Sequence, residues 1–254
     1  MKRKDGRKKR RYLWIVIPVA IFALLLCAGL IYLENYYHAD DEAITAFSVN
    51  RTVTEWTLAG GETVFDPGNA KIGLIFYPGG KVEETAYAPL MRTISSKGIL
   101  CVLCRMPFRL AVFDTHAADD VREALPEIEY WYIGGHSLGG AVASIEVNAH
   151  PGVYKGMILL ASFSNDDLSG EPLRVLSIYG SEDRVLDREA YEQAKEKLPH
   201  DVTEKVIAGG CHAGFGMYGA QDGDGTPAIT SGEQILITAD MIAEWIGNVD
   251  ADTP

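Results

Sequence analysis

Apolar and polar positions change period several times along this chain. Tyr12 to Leu33 is a run of 22 residues without a charge. At ~1.5 Å rise per residue, a helix of that length spans roughly 33 Å, enough for a bilayer core. Beyond it, short β-branched and aromatic runs alternate with stretches that are apolar at helical spacing. That alternation predicts a mainly parallel sheet flanked by helices on both faces, an α/β architecture. Weak strands are expected at Ser48–Trp56 and Thr63–Phe65. Clearer ones follow at Ile72–Tyr77, Ile99–Cys104, Tyr130–Gly134, Gly156–Ala161, Val175–Tyr179 and Thr203–Ile207. Helices are expected near Thr85–Lys97, His116–Leu125, Leu138–Ala149, Asp187–Lys197 and Ser231–Ile246. The connection after Ala161 is too short to hold an inserted helical subdomain.

Charge divides the chain. Lys2, Arg3, Lys4, Arg7, Lys8, Lys9, Arg10 and Arg11 precede the apolar run, with Asp5 the single acid among them. Glu34, Asp40, Asp41 and Glu42 follow it, so the positive-inside rule puts the N-terminus in the cytoplasm and the rest of the chain outside it. Tyr12 and Trp14 at one end, with Tyr32, Tyr36 and Tyr37 at the other, suit interfacial aromatic belts. A cleavable signal peptide has a shorter apolar region and a small-x-small cleavage site. Here bulky Tyr37 stands at the −3 position of a cut after Ala39, and Leu26 before Cys27 spoils a lipoprotein signal. The reading is an uncleaved anchor. It divides the chain into a basic tail (1–11), a transmembrane span (12–33), a connector (34–47), one α/β domain (48–249) and a short acidic tail (250–254). With the tail before Tyr12 set aside, 15 basic and 34 acidic residues remain, a net charge of −19. So acidic a domain argues against nucleic-acid partners. Cys101 and Cys104, three apart in one strand, are expected as buried small hydrophobes on opposite faces. No metal-ligand spacing of Cys and His is present, and neither metal nor cofactor is expected.

The chemistry concentrates at Gly135-His136-Ser137-Leu138-Gly139, where a strand signal meets a helix signal. A strand turning at once into a helix strains the corner residue and requires small neighbours. It would lift Ser137 Oγ clear of the sheet and leave the Leu138 N–H at a helix N-terminus, suited to an oxyanion. A serine hydroxyl needs a base to take its proton and an acid to orient that base. Asp183 lies in the loop after one later strand, and His212 in the Gly-rich loop after the last. Glu182 and Asp187 are near rivals for the acid, and Asp166 or Asp167 a further alternative. His116, His150 and His200 sit at helix boundaries, and the His136 side chain should leave the corner in another direction. A second oxyanion donor should come from the loop Pro78-Gly79-Gly80-Lys81, with Gly80 first and Lys81 next.

Three stretches carry a family resemblance: Tyr77–Val82 (Tyr-Pro-Gly-Gly-Lys-Val), Gly135–Gly140 (Gly-His-Ser-Leu-Gly-Gly) and Gly209–Gly219 (Gly-Gly-Cys-His-Ala-Gly-Phe-Gly-Met-Tyr-Gly). In these the chain resembles α/β-hydrolase-fold proteins of the dienelactone-hydrolase-like group, and within it small membrane-anchored bacterial members. The likeness covers roughly Thr63 to Ile246. It implies a lidless α/β-hydrolase fold, with Ser137 as nucleophile, Asp183 as acid and His212 as base in a serine hydrolase acting on carboxylic esters. A non-catalytic tethered binding protein, a thioesterase and an acyltransferase are the alternative functions. The chain departs from the group at Cys211, usually Asn there, which is a candidate redox-sensitive position. The expected partners are a small-molecule ester and, through the N-terminal helix, the membrane. Elements near Phe108, Phe163, Phe215 and Tyr218 are expected to wall a shallow pocket, with ordinary core packing as the alternative place for these aromatics.

Overall fold

The computed structural model describes residues 5–40, 45 and 53–250, which form two compact units dividing after Tyr36. The first unit is α1 (Asp5–Glu34), a helix that tolerates Pro18 in its interior. Its Trp14–Glu34 stretch has a mean hydropathy of 2.7, long and apolar enough to cross a membrane. The second unit begins inside the expected connector. Tyr37 N–H donates to Lys81 O (2.8 Å), Glu83 N–H donates to Tyr37 O (2.9 Å), and Asp40 N–H donates to Met217 O (2.7 Å). Residues 41–44 and 46–47 of that connector lie outside the described residues.

Eight strands make one sheet in the order β1-β2-β4-β3-β5-β6-β7-β8. They are β1 (Thr54–Thr57), β2 (Thr63–Asp66), β3 (Ile72–Tyr77), β4 (Leu100–Leu103), β5 (Tyr130–His136), β6 (Tyr154–Leu160), β7 (Arg174–Gly180) and β8 (Val202–Ile207). The pairings β1–β2 and β2–β4 are antiparallel, and the others are parallel. Every side chain of β1 is exposed, as suits a strand at the sheet's edge. Of the strand expected at Ser48–Trp56, Ser48 to Thr52 fall outside the described residues.

Period-2 alternation sorts the strands into two cores. Leu74 and Phe76 of β3 pack with α2 (Ala88–Ser95) and α6 (Ser231–Asp250), whereas Ile75 and Tyr77 pack with α3 (Ala117–Ala124) and α4 (Leu138–Ala149). Cys101 and Cys104 are buried in opposite cores, as their spacing requires. Burial drives both thiols' pKa up, so they behave as small hydrophobes. Two expected helices are shorter than their apolar pattern. Pro89, lacking an N–H, can sit only in a first turn, so Glu84–Tyr87 forms a 3-10 turn ahead of α2. The helix over Asp187–Lys197 resolves into α5 (Arg188–Ala194), capped by Asp187, and a 3-10 turn at Lys195–Lys197. Between β6 and β7 there is no helix, and the fold is lidless.

Candidate active site

Strand β5 runs into α4 with one residue between them. That residue, Ser137, has φ 51° and ψ −121°, a conformation costly for any side chain. The surroundings impose it. Ser137 N–H donates to Leu160 O (2.9 Å), and Ser162 Oγ–H donates to Ser137 O (2.7 Å). The flanking glycines are steric necessities: a Cβ on Gly135 would stand 2.4 Å from the Gly139 carbonyl carbon, and one on Gly139 only 2.1 Å from Tyr77 O. Ser137 is left half-buried, open to solvent at the sheet's carboxyl edge.

The loop after β7 presents Asp183. Its Oδ1 accepts the N–H groups of Val185 and Leu186 at 2.9 Å each, and its Oδ2 lies 3.0 Å from His212 Nδ1. The rival acids are engaged elsewhere. Glu182 accepts from Ser181 Oγ, Asp187 caps α5, and Asp167 accepts from Ser169. A carboxylate at Nδ1 fixes the imidazole tautomer that bears its proton on Nδ1 and a lone pair on Nε2. His212 Nε2 is buried and makes no hydrogen bond. No hydrogen bond joins it to Ser137 Oγ in this structure.

The His212 loop is clamped from two sides. Gln234, buried on α6, accepts Cys211 N–H (3.0 Å) through Oε1 and donates from Nε2 to Cys211 O (2.9 Å). Asp224 Oδ2 accepts Ala213 N–H (2.9 Å), while its Oδ1 accepts Arg184 N–H (3.3 Å), so one carboxylate joins the acid loop to the histidine loop. Burial opposes the charge on Asp224, but its backbone donors outweigh it and hold the pKa below the usual carboxylate range. Cys211 is the candidate redox-sensitive position. It is buried, and desolvation together with Asp224 pushes the thiol up to about 11, so little reactive thiolate exists.

The loop after β3 reaches the same place. A Cβ built on Gly80 would lie 2.8 Å from Leu138 Cδ2, so Gly80 and the start of α4 are in contact. Lys81 N–H is committed to Arg109 O (2.8 Å), which separates it from Gly80 as a donor. Tyr87 anchors this loop: its hydroxyl accepts Gly79 N–H (3.2 Å) and lies 2.8 Å from His136 Nδ1. Sequence reasoning missed Tyr87 and Gln234, and it considered His136 only to set it aside. The His136 ring packs 4.6 Å, centroid to centroid, from that of His212. The aromatics expected near the site divide between core and surface. Phe215 and Tyr218 are core residues, while Phe108, at φ 53°, is exposed and meets Phe113 edge-on.

Burial, and secondarily the nearby His212, depresses the pKa of His136 well below 6.5. Protonation of the unfolded chain is therefore not matched in the folded one. As pH falls below 6.5, stability should decline by about 1.4 kcal/mol per pH unit on this group's account. Urea unfolding at stepped pH should show a shallower slope in His136→Gln. An unchanged slope would mean that the histidine does not stay neutral.

The alpha/beta hydrolase family profile matches residues 73–236. Among solved structures, the chain is similar to a dienelactone hydrolase from Anabaena variabilis, at 14% identity and TM-score 0.58, covering 78% of this chain and 99% of that one. It is also similar to Est1E from Butyrivibrio proteoclasticus, at 13% identity and TM-score 0.55, covering 79% and 100%. No protein in the curated set matches the chain in sequence.

Proposed function

We propose, from the premise that this chain belongs to the alpha/beta hydrolase family, that it is a membrane-anchored serine hydrolase of carboxylic esters. The observation that carries the reading is the convergence of three chain segments. A half-exposed serine on a strained strand–helix corner lies at the same sheet edge as a buried histidine whose Nδ1 faces a carboxylate at 3.0 Å. In this mechanism Ser137 Oγ attacks the acyl carbonyl and His212 Nε2 accepts its proton. The tetrahedral oxyanion is held by the N–H groups of Leu138 and Gly80. Collapse expels the alcohol, protonated by His212, and leaves an acyl-enzyme that water hydrolyses by the same route. Asp183 holds the imidazole tautomer and balances the charge of the imidazolium. A p-nitrophenyl ester panel tests the reading: turnover that Ser137→Ala abolishes supports it, and no turnover of any ester by folded protein counts against it.

Two features favour neutral, apolar acyl groups. Phe108, Val112 and Phe113 are exposed, and Leu110 between them neighbours Gly80. The net charge of −19 beyond the basic tail slows the encounter with anionic esters, an effect that salt screens. Neutral short-chain esters should show higher kcat/KM than matched anionic ones at low ionic strength, with the gap narrowing in salt. Preference for the anionic ester at low salt would point instead to local cations such as Lys81 or Arg184.

For placement, α1 acts as a signal anchor with its basic end in the cytoplasm. Protease added to intact cells or spheroplasts should then remove the hydrolase domain. Complete protection would overturn this topology.

A further inference from the structure

We propose that His116, Asp119, Glu146 and His150 form a binding site for a divalent transition-metal ion of the zinc class, separate from the Ser137 site. The four residues come from two helices. His116 caps α3 and Asp119 lies in its first turn, whereas Glu146 is in the last turn of α4 and His150 caps that helix's end. Offsets of three and four residues bring each pair onto one helix face, and the two faces meet. One ligand atom from each residue lies within 4.8 Å of all the others. Ligand atoms around tetrahedral zinc stand ~3.3 Å apart, given bonds of about 2.0–2.2 Å, so modest side-chain adjustments close the set.

The hydrogen bonding already prepares the donors. His150 Nδ1 lies 3.2 Å from the Glu146 backbone carbonyl and 3.0 Å from Glu146 Oε1, so its proton has an acceptor there. That leaves the Nε2 lone pair, 3.5 Å from Asp119 Oδ1, for a metal. A histidine ligand held by a backbone carbonyl through its other nitrogen is the usual outer support of such sites. Tyr154 Oη–H donates to Glu146 Oε1 (2.7 Å), while Glu146 Oε2 faces His116 Nδ1 at 2.7 Å. Two imidazoles with two carboxylates match zinc, cobalt or nickel better than magnesium or calcium, which prefer oxygen alone.

The electrostatics point the same way. Glu146 is wholly buried, yet among the described residues its nearest fixed cation, Arg122, approaches no nearer than 3.6 Å. Arg122 is drawn to Asp119, and its buried Nε has no hydrogen-bond partner, so the ion-pair network is unclosed. With neutral imidazoles, two carboxylates and one guanidinium leave a net −1, which a dication would reverse. His116, Asp119 and His150 are partly exposed and give an ion a route in, with Glu146 as the inner ligand. A closed four-ligand site of this kind is structural. It would staple α3 to the far end of the helix whose beginning positions Ser137.

The test uses the full-length, tag-free chain in detergent after chelator treatment, titrated with Zn²⁺, Co²⁺ or Mg²⁺. One Co²⁺ per chain should bind with the visible absorption of a tetrahedral site, and Zn²⁺ should raise Tm where Mg²⁺ does not. His116→Ala and His150→Ala, both at solvent-accessible positions, should each weaken Co²⁺ binding by roughly tenfold or more. The double variant should lose the Zn²⁺-induced rise in Tm, measured against its own metal-free Tm. His200→Ala, at an unrelated site, should bind as the wild type does. Absent Co²⁺ binding, equal affinity in the histidine variants, or an equal response to Mg²⁺ would overturn the assignment. None of these readouts depends on esterase activity, so failure here is separate from failure of the Ser137 mechanism.

Discussion

Ser137→Ala should lower kcat on a p-nitrophenyl ester by ~10³-fold or more while leaving the fold intact. The size of the loss follows from the mechanism. Without the hydroxyl no acyl-enzyme can form, and only binding and oxyanion stabilisation remain to accelerate attack by water. Tolerance follows from the backbone. Alanine meets the same strain at φ 51° as serine does, and Ser137 Oγ holds no hydrogen bond to other described residues. The bonds that fix the corner, Ser137 N–H to Leu160 O and Ser162 Oγ–H to Ser137 O, use the main chain and survive. Tm should therefore change little. A fluorophosphonate probe should label wild-type Ser137 and not the variant. Wild-type protein that is folded but unlabelled, or a variant with most of its activity, would rule out Ser137 as the nucleophile.

The corner was legible because its causes are local. A β-branched strand, small residues at 135, 139 and 140, and an apolar helix all lie within about twenty consecutive positions. The alternation of Leu74, Ile75, Phe76 and Tyr77 likewise announces a strand buried on both faces, and the structure sends them alternately to two cores. What escaped notice joins distant positions. Tyr87 meets His136 across 49 residues, and Gln234 meets Cys211 across 23, and neither contact has a spacing that a local pattern could reveal. His116 and His150 look like ordinary helix boundaries until α3 and α4 pack together. Phe215 and Tyr218 show a different limit. An aromatic beside a candidate site has the same composition whether it walls a pocket or fills the core, and here the core takes both.

Asp183→Asn should reduce kcat by about 10⁴-fold with little change in KM, a loss that removal of the Ser137 hydroxyl should equal or exceed. Asp183 has two tasks. Its Oδ1 accepts the N–H groups of Val185 and Leu186, which shapes the loop, and its Oδ2 faces His212 Nδ1. Asparagine keeps one oxygen, and the two backbone donors that Asp183 Oδ1 accepts will claim it. The amide nitrogen must then face His212. Two N–H groups cannot point at each other, so Nδ1 becomes an acceptor and the ring proton moves to Nε2. That tautomer cannot take the Ser137 proton. Since loop and packing persist, the Asn variant should unfold with the wild-type denaturant midpoint. Nuclear magnetic resonance of the imidazole nitrogens at neutral pH should report the exchanged tautomer. Rate losses should also be far from additive, because a residue that acts only through His212 has nothing left to contribute once Ser137 is gone. Ser137→Ala combined with Asp183→Asn should thus be no slower than Ser137→Ala alone. If Asp183→Asn retains activity within tenfold of the wild type, Asp183 is not the orienting acid, and Asp224, which already bridges the two loops, becomes the group to change next.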